Sequence, residues 1–214
     1  MYVICGIDEA GKGSVLGPMV VAGVSAPDMD EVALTGVADS KTLSRKRRES
    51  LYEKITETFV TACTVISAAE IDHLRAEMTM NDIVARAHAD VIMKIPCDTA
   101  FVDACDVNAK RYGRTVSGYA GGKYSIVSEH KADVRFPVVS AASVVAKVTR
   151  DRCIDSLHKE FGNFGSGYPS DTVTIEFLET YIKEFGLPPT CARSSWETTR
   201  RIRDRLSQPS LFDF

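Results

Sequence analysis

No run of apolar residues in this chain comes near the ~18 that a membrane-spanning helix needs, which excludes a helical membrane span. The opening residues, Met1-Tyr2-Val3-Ile4-Cys5, lack the basic flank and long apolar stretch of a secretory signal, so a cytoplasmic location is expected. No two of the six cysteines (Cys5, Cys63, Cys97, Cys105, Cys153, Cys191) stand at a Cys-x-x-Cys spacing. That argues against a zinc site and against a disulfide framework, and free, mostly buried thiols are expected. Repeats and low-complexity stretches are absent as well. So is any excess of positive charge: the net charge is −3, which on its face disfavours a nucleic-acid partner, because phosphates need a basic surface.

What is present is an ordinary globular composition. With 44% hydrophobic and 26% charged residues, 214 residues suffice to bury a core, as one domain or one domain with a small appendage. The charges are also segregated. Lys41, Arg45, Lys46, Arg47 and Arg48 put five cations into eight positions, and Arg193, Arg200, Arg201, Arg203 and Arg205 form a second basic cluster. An acidic pocket elsewhere would hide both in the sum.

Apolar and β-branched runs predict strands over Tyr2 to Asp8, Met19 to Ala26, Ala62 to Ser67, Thr99 to Asp103 and Tyr124 to Glu129. Apolar residues at helical spacing predict helices over Ser44 to Phe59 (Leu51, Tyr52, Ile55, Phe59) and Asn81 to Lys94 (Ile83, Val84, Ala87, Val91). A long helix is expected from Ser140 to Phe161 with Gly162 as its stop. Two further helices are expected over Ser170 to Phe185 and Ser194 to Leu206. The architecture implied is a mixed, partly antiparallel α/β sheet with a helical C-terminal region.

The chemistry concentrates where acids end apolar strands. Asp8 and Glu9 follow a strand with no polar residue before them, and Asp103 ends Thr99-Ala100-Phe101-Val102. Asp133 lies between a strand and the long helix. Strand ends on one side of an α/β sheet converge, so these acids share a pocket in the simplest arrangement. Four such acids ionise together only around cations. Oxygen-only ligation suits magnesium or manganese, and two such ions ~3.5–4 Å apart serve phosphodiester cleavage. A solvated turn is the bland alternative for Asp8 and Glu9. A Walker-type phosphate loop is rejected: Gly13 stands where Ser or Thr must hold magnesium, and Asp8 and Glu9 would repel the phosphates. One tension is that neighbours in a strand face opposite ways; Gly11 and Gly13 suggest that the chain leaves the pleat at the acids.

Seven segments in order resemble type 2 ribonuclease H (ribonuclease HII), of the archaeal branch, over nearly the whole chain. They are Gly6 to Gly13, Asp39 to Leu43, Val102-Asp103, His130 to Asp133, Ser140 to Ser143 with Ala146 to Val148, and Gly165 to Asp171. The resemblance implies an RNase H-like five-stranded mixed sheet flanked by helices, in a core of residues 1–165, then a helical region 166–206 and a tail 207–214. It implies an endonuclease that cuts the RNA strand of RNA–DNA hybrids and 5′ of ribonucleotides embedded in duplex DNA, with 3′-hydroxyl and 5′-phosphate ends and two Mg2+ or Mn2+ ions. The family's metal-binding acids fall on Asp8, Glu9, Asp103 and Asp133, with Asp106 a rival to Asp103. Its ribose-sensing Gly-Arg-Gly turn is Gly11-Lys12-Gly13 here, which keeps the charge and loses the planar fork. Its sugar-packing tyrosine corresponds to Tyr168. Lys41 sits in a motif used on phosphates, while Asn81, Ser140, Ser143 and Lys147 are second-rank candidates for substrate or support roles. The histidines are assigned structural roles, since this mechanism needs no imidazole.

Gln208, Leu211, Phe212 and Phe214 resemble a peptide that docks on the replication sliding clamp. Apolar side chains on a polar tail are costly without a partner. The chain is expected to act as a monomer. The competing functions are another nuclease or integrase of RNase H fold and a clamp-associated nucleic-acid binder whose acids are merely solvated. The first has no need to sense a 2′-hydroxyl.

Overall fold

The computed structural model describes residues 2–37 and 44–207, so Lys41, Gln208, Leu211, Phe212 and Phe214 lie outside the described residues. The strands are β1 (Ile4–Ala10), β2 (Met19–Ala26), β3 (Val60–Ile66), β4 (Thr99–Asp103) and β5 (Ser125–Glu129). The helices are α1 (Met29–Ala33), α2 (Arg45–Thr58), α3 (Ala68–Leu74), α4 (Met80–Ile92), α5 (Ala109–Tyr119), α6 (Ala132–Arg135), α7 (Pro137–Phe161), α8 (Thr172–Phe185) and α9 (Glu197–Ser207). Among the described residues no helix is long and apolar enough to cross a membrane.

The five strands make one mixed sheet in the order β3-β2-β1-β4-β5, the expected RNase H-like arrangement. β1 runs antiparallel to β2, from Ile4 opposite Ala26 to Ala10 opposite Val20. It runs parallel to β4, which in turn runs parallel to β5. The carboxyl ends of β1, β4 and β5 therefore lie together. Parallel strands are covered on both faces, which accounts for the unbroken burial of β1 up to Asp8. One face packs on α7 and α2: Val138, Val139, Ala142 and Val145 meet Ala22, Val24, Leu51 and Ile55 in one cluster. Burying Leu51 and Ile55 stabilises the fold by about 2 kcal/mol each. Gly6 lies against the backbone of Val138, where a side chain would collide. On the other face, Val91 of α4 and Ile95 close over Gly23 and Ile7.

The chain forms two compact units, interleaved in sequence rather than divided once. The first, Met1–Lys12, Val20–Val65 and Met78–Arg150, holds the sheet. The second comprises Gly13–Met19, Ile66–Glu77 and Asp151–Phe214. Its core gathers Val15, Leu16, Ile154, Phe164, Leu178 and Ile202.

One expectation is corrected. Cys5 and Cys97 form a disulfide, with Cα atoms 5.6 Å apart. Ninety-two residues separate them in sequence, so no local spacing signals the pair; the parallel register of β1 and β4 brings them together. Cys63, Cys105, Cys153 and Cys191 remain thiols outside that disulfide.

Candidate active site

The β1–β4 ladder ends at Ile7 opposite Val102. The next residue on each strand is an acid, Asp8 and Asp103, so two carboxylates face each other where the backbones stop pairing. Asp8 is buried, and its Oδ1 accepts from the Glu9 N–H at 2.8 Å. Burial pushes the Asp8 carboxyl well above the usual carboxylate range, and the charges of Glu9 and Asp103 add to the rise. A hydrogen bond with Ser143 and the Glu9 N–H oppose it.

The chain does not leave the pleat at the acids. β1 continues through both, with Asp8 opposite Ala22 and Glu9 opposite Val21, and the break comes later, at Gly11 with φ 86°. Consecutive strand residues point to opposite faces. Asp8 accordingly meets Ser143 of α7, whereas Glu9 meets His88 of α4, with Oε2 3.1 Å from Nε2. The two acids share a strand end, not a sheet face.

Asp103 is fixed from the other side. Its Oδ1 accepts from the Ala132 N–H at 2.8 Å. Ala132 opens α6, which the chain enters through Lys131 in the left-handed region at φ 56°. That conformation costs a side-chain-bearing residue about 1 kcal/mol, and it is retained where it turns Ala132 onto Asp103. Asp133 follows, buried in the first turn of α6. As they stand these acids are neighbours rather than a closed cage: among the described residues no three His, Cys, Asp or Glu side chains gather in a metal-holding group. The donor chemistry still fits a hard divalent cation. Asp8, Glu9 and Asp103 stand together at one sheet end, and burial disfavours Asp8 as an anion until a positive charge arrives.

Asp106 has other employment. It accepts from Arg111 Nε at 3.1 Å and from the Asn108 N–H at 3.0 Å, and the Arg111 hydrogen bond holds its carboxyl below the usual range. Lys12 turns back into its own unit, donating to Asn81 Oδ1 at 2.9 Å and to the Cys105 carbonyl at 3.1 Å. Asn81 thus supports the turn after β1. Among the described residues nothing lies within 4 Å of where a Gly13 Cβ would be, and the φ of Gly13 is not in the left-handed region. Ser140 is buried and donates to the Val37 carbonyl at 2.7 Å, which fastens α7 to the segment leading into residues 38–43. Ser143 and Lys147, one turn apart on α7, share a face.

Tyr168 belongs to the second unit, half-buried in a turn held by Asp171. Asp171 Oδ2 accepts from the Ser166 N–H at 2.7 Å and from the Ser166 hydroxyl at 2.8 Å, while the Gly167 carbonyl accepts from Val15 and Leu16.

The basic clusters divide. Arg45, Lys46 and Arg47 are exposed in the first turn of α2, where they oppose the helix dipole. The second cluster is not a free cationic face. Arg193 is fully buried, donating to Ser14 Oγ at 2.8 Å and Gly17 O at 3.2 Å and lying over Trp196. Arg200 and Arg201 pair with Glu197, Arg203 with Asp204, and Arg205 with Glu179.

Sequence reasoning missed the buried chain behind Glu9. His88 Nδ1 lies 3.2 Å from the Tyr112 hydroxyl, which is also hydrogen-bonded to the Cys105 thiol. The signal was available: His88 stands four residues after Val84 and three before Val91, on the apolar side of α4.

The chain is similar to known proteins over nearly its whole length. The family model described as Ribonuclease HII matches residues 5–199. A ribonuclease HII of Methanospirillum hungatei is 54% identical over 99% of this chain and 100% of its own length. The ribonuclease H2 of Pyrococcus horikoshii superimposes with a TM-score of 0.90 at 36% identity, covering 97% of this chain and all of that one. The chain in the PCNA:RNase HII complex of Archaeoglobus fulgidus matches with a TM-score of 0.87 at 42% identity, over the whole of both chains.

Proposed function

Because the chain belongs to the ribonuclease HII family, we propose that it is an endonuclease cutting the RNA strand of RNA–DNA hybrids. It also incises duplex DNA 5′ of embedded ribonucleotides, leaving 3′-hydroxyl and 5′-phosphate ends. The observation that carries this is the meeting of Asp8 and Asp103 just past the β1–β4 ladder, with Glu9 beside them.

Asp8, Glu9, Asp103 and Asp133 would hold two Mg2+ or Mn2+ ions, which supply activation of the attacking water and stabilisation of the leaving oxygen. The protein's own part is positioning. Ser143 and the Glu9 N–H orient the Asp8 carboxylate, and the Ala132 N–H orients Asp103. Gly11-Lys12-Gly13 offers backbone groups to a ribose 2′-hydroxyl. The open space around Gly13 supports this, because among the described residues nothing crowds the place of its Cβ. Lys12, tied to Asn81 and Cys105, shapes that turn. Tyr168 packs on the sugar at the RNA–DNA junction. Lys41 and Lys147 contact phosphates, and Ser140 supports the segment before residue 38.

The tail, through Gln208, Leu211, Phe212 and Phe214, binds the sliding clamp; the Archaeoglobus relative in complex with PCNA supports such a partnership. The enzyme works as a monomer in the cytoplasm.

The test is cleavage of a DNA duplex carrying one ribonucleotide, with and without Mg2+ or Mn2+. We expect metal-dependent incision on the 5′ side of the ribonucleotide and no cutting of the all-DNA duplex. Cutting of both duplexes alike would mark a DNA nuclease instead, and cutting of neither would leave only a binding role.

A further inference from the structure

We propose that His88 is a positioning residue for Glu9, held in its donating form by Tyr112. The inference rests on the assignment of Glu9 to the metal site and extends it to a buried imidazole.

The geometry is specific. A carboxylate has no proton to give, so the 3.1 Å contact between His88 Nε2 and Glu9 Oε2 places the proton on Nε2. In the neutral ring Nδ1 is then an acceptor, and the Tyr112 hydroxyl lies 3.2 Å from it. Burial, and then the nearby Cys105 and Glu9, keep Tyr112 protonated far above neutral pH, and with Nδ1 an acceptor its single proton goes to the ring rather than to the Cys105 sulfur. Both ring nitrogens are thereby used, and the outer hydrogen bond selects the tautomer that points its N–H at Glu9. The same order, ligand then oriented partner then fixing group, governs the outer partners of metal-binding side chains.

The surroundings leave the imidazole little else to do. The His88 side chain is wholly buried, and Ala85, Ala87 and Ala89 flank it on α4. Tyr112 is buried on α5, its ring edge-on to the imidazole. A polar ring at such a position costs stability unless both nitrogens are bonded, and an apolar side chain would avoid that cost. Glu9 extends from β1 on the face away from Asp8, where His88 is its hydrogen-bond partner. Pinning Oε2 on the α4 side sets which oxygen Glu9 presents at the strand end.

The charged and polar groups facing His88 are Glu9 from β1 and Tyr112 from α5; Cys105 lies behind Tyr112. Cys105 connects this chain to the turn after β1, since its carbonyl accepts from Lys12.

The experiment titrates Mn2+ into the purified full-length protein by calorimetry and measures the Mn2+ dependence of cleavage. The variants are His88→Met, His88→Gln, Tyr112→Phe and Glu9→Gln. We expect His88→Met to weaken Mn2+ binding about tenfold or more and to regain cleavage at higher Mn2+. His88→Gln keeps an N–H donor and should recover most of the affinity, while Tyr112→Phe should show a smaller loss in the same direction. If His88→Met does not fold, Tyr112→Phe, which removes one oxygen, decides the matter. Unchanged Mn2+ affinity in the His88 and Tyr112 variants, with Glu9→Gln impaired, overturns the positioning role and leaves the metal site standing. If Glu9→Gln binds Mn2+ as the parent does, the assignment of Glu9 falls, and this inference falls with it.

Discussion

Asp8 and Asp103 meet as like charges one residue past the last paired rung of β1 and β4. Sheet pairing brings them together, and burial with the charges of Glu9 and Asp103 raises the Asp8 carboxyl. The arrangement stores repulsion that a divalent ion would relieve.

Asp8→Asn should therefore abolish metal-dependent cleavage and raise the melting temperature in metal-free buffer at neutral pH. A gain of about 1 kcal/mol corresponds to roughly 2–4 °C for a chain of this size. The pH dependence has a definite sign. Because the native carboxyl binds its proton more tightly than the unfolded one, its contribution to stability is complete below the unfolded value of about 3.9. That contribution is lost as pH rises through the raised native value. The parent protein without metal should lose stability over that interval, and Asp8→Asn should not. A melting series from acid to neutral pH in chelator checks both statements; equal slopes would show that Asp8 is not strained.

The choice between Asp103 and Asp106 is equally open to measurement. Asp106 is committed to Arg111 and the Asn108 N–H at the start of α5, whereas Asp103 faces the acid pair. Asp103→Asn should retain less than about a tenth of parental activity, and Asp106→Asn should keep most of it. The reverse order would reassign the third acid.

Much of this was legible in the sequence, for physical reasons that differ by residue. β2 and β4 have the expected bounds because their apolar, β-branched runs end in strong boundaries. Asp8 and Asp103 were conspicuous because a charge closing an apolar strand has no packing role. α5 escaped because Gly113 and Gly118 are poor helix formers; Gly113 is there because α5 lies close on Ser128 of β5. The Cys5–Cys97 pair depended on non-local strand register. Arg193 counted as surface charge until the fold buried it. His88 was assigned a structural role with the other histidines because the implied mechanism needs no imidazole, and only its two partners suggest otherwise.

Arg193→Met should destabilise the protein by roughly 3 kcal/mol, since it strips the donors from Ser14 and Gly17 in a buried site. Arg193→Lys should not rescue it, because an ammonium lacks the planar fork that reaches both acceptors. Denaturant melts decide this; a loss below about 1 kcal/mol would show that water replaces the guanidinium.

Tyr168 provides a selectivity test. If its ring packs on the sugar at an RNA–DNA junction, Tyr168→Ala should impair incision at a single ribonucleotide more than cleavage of a long hybrid, which offers many alternative registers. Steady-state kinetics on the two substrates measure the ratio. Equal losses would reduce Tyr168 to a packing residue of the turn that Asp171 holds.

The tail makes the last separable claim. Gln208, Leu211 and Phe214 recur at intervals of three, so one short peptide presents a polar group followed by two apolar anchors. A few buried apolar side chains usually dominate such an interface, so Leu211→Ala and Phe214→Ala should each cost most of the clamp affinity. Deleting residues 208–214 should abolish association in a titration against the sliding clamp. The candidate acids all precede residue 134, so the same deletion should leave cleavage of short free duplexes unchanged. If the truncated protein still binds the clamp, the partner surface lies elsewhere on the chain. If it loses intrinsic activity or melts at lower temperature, the tail serves its own domain rather than a partner.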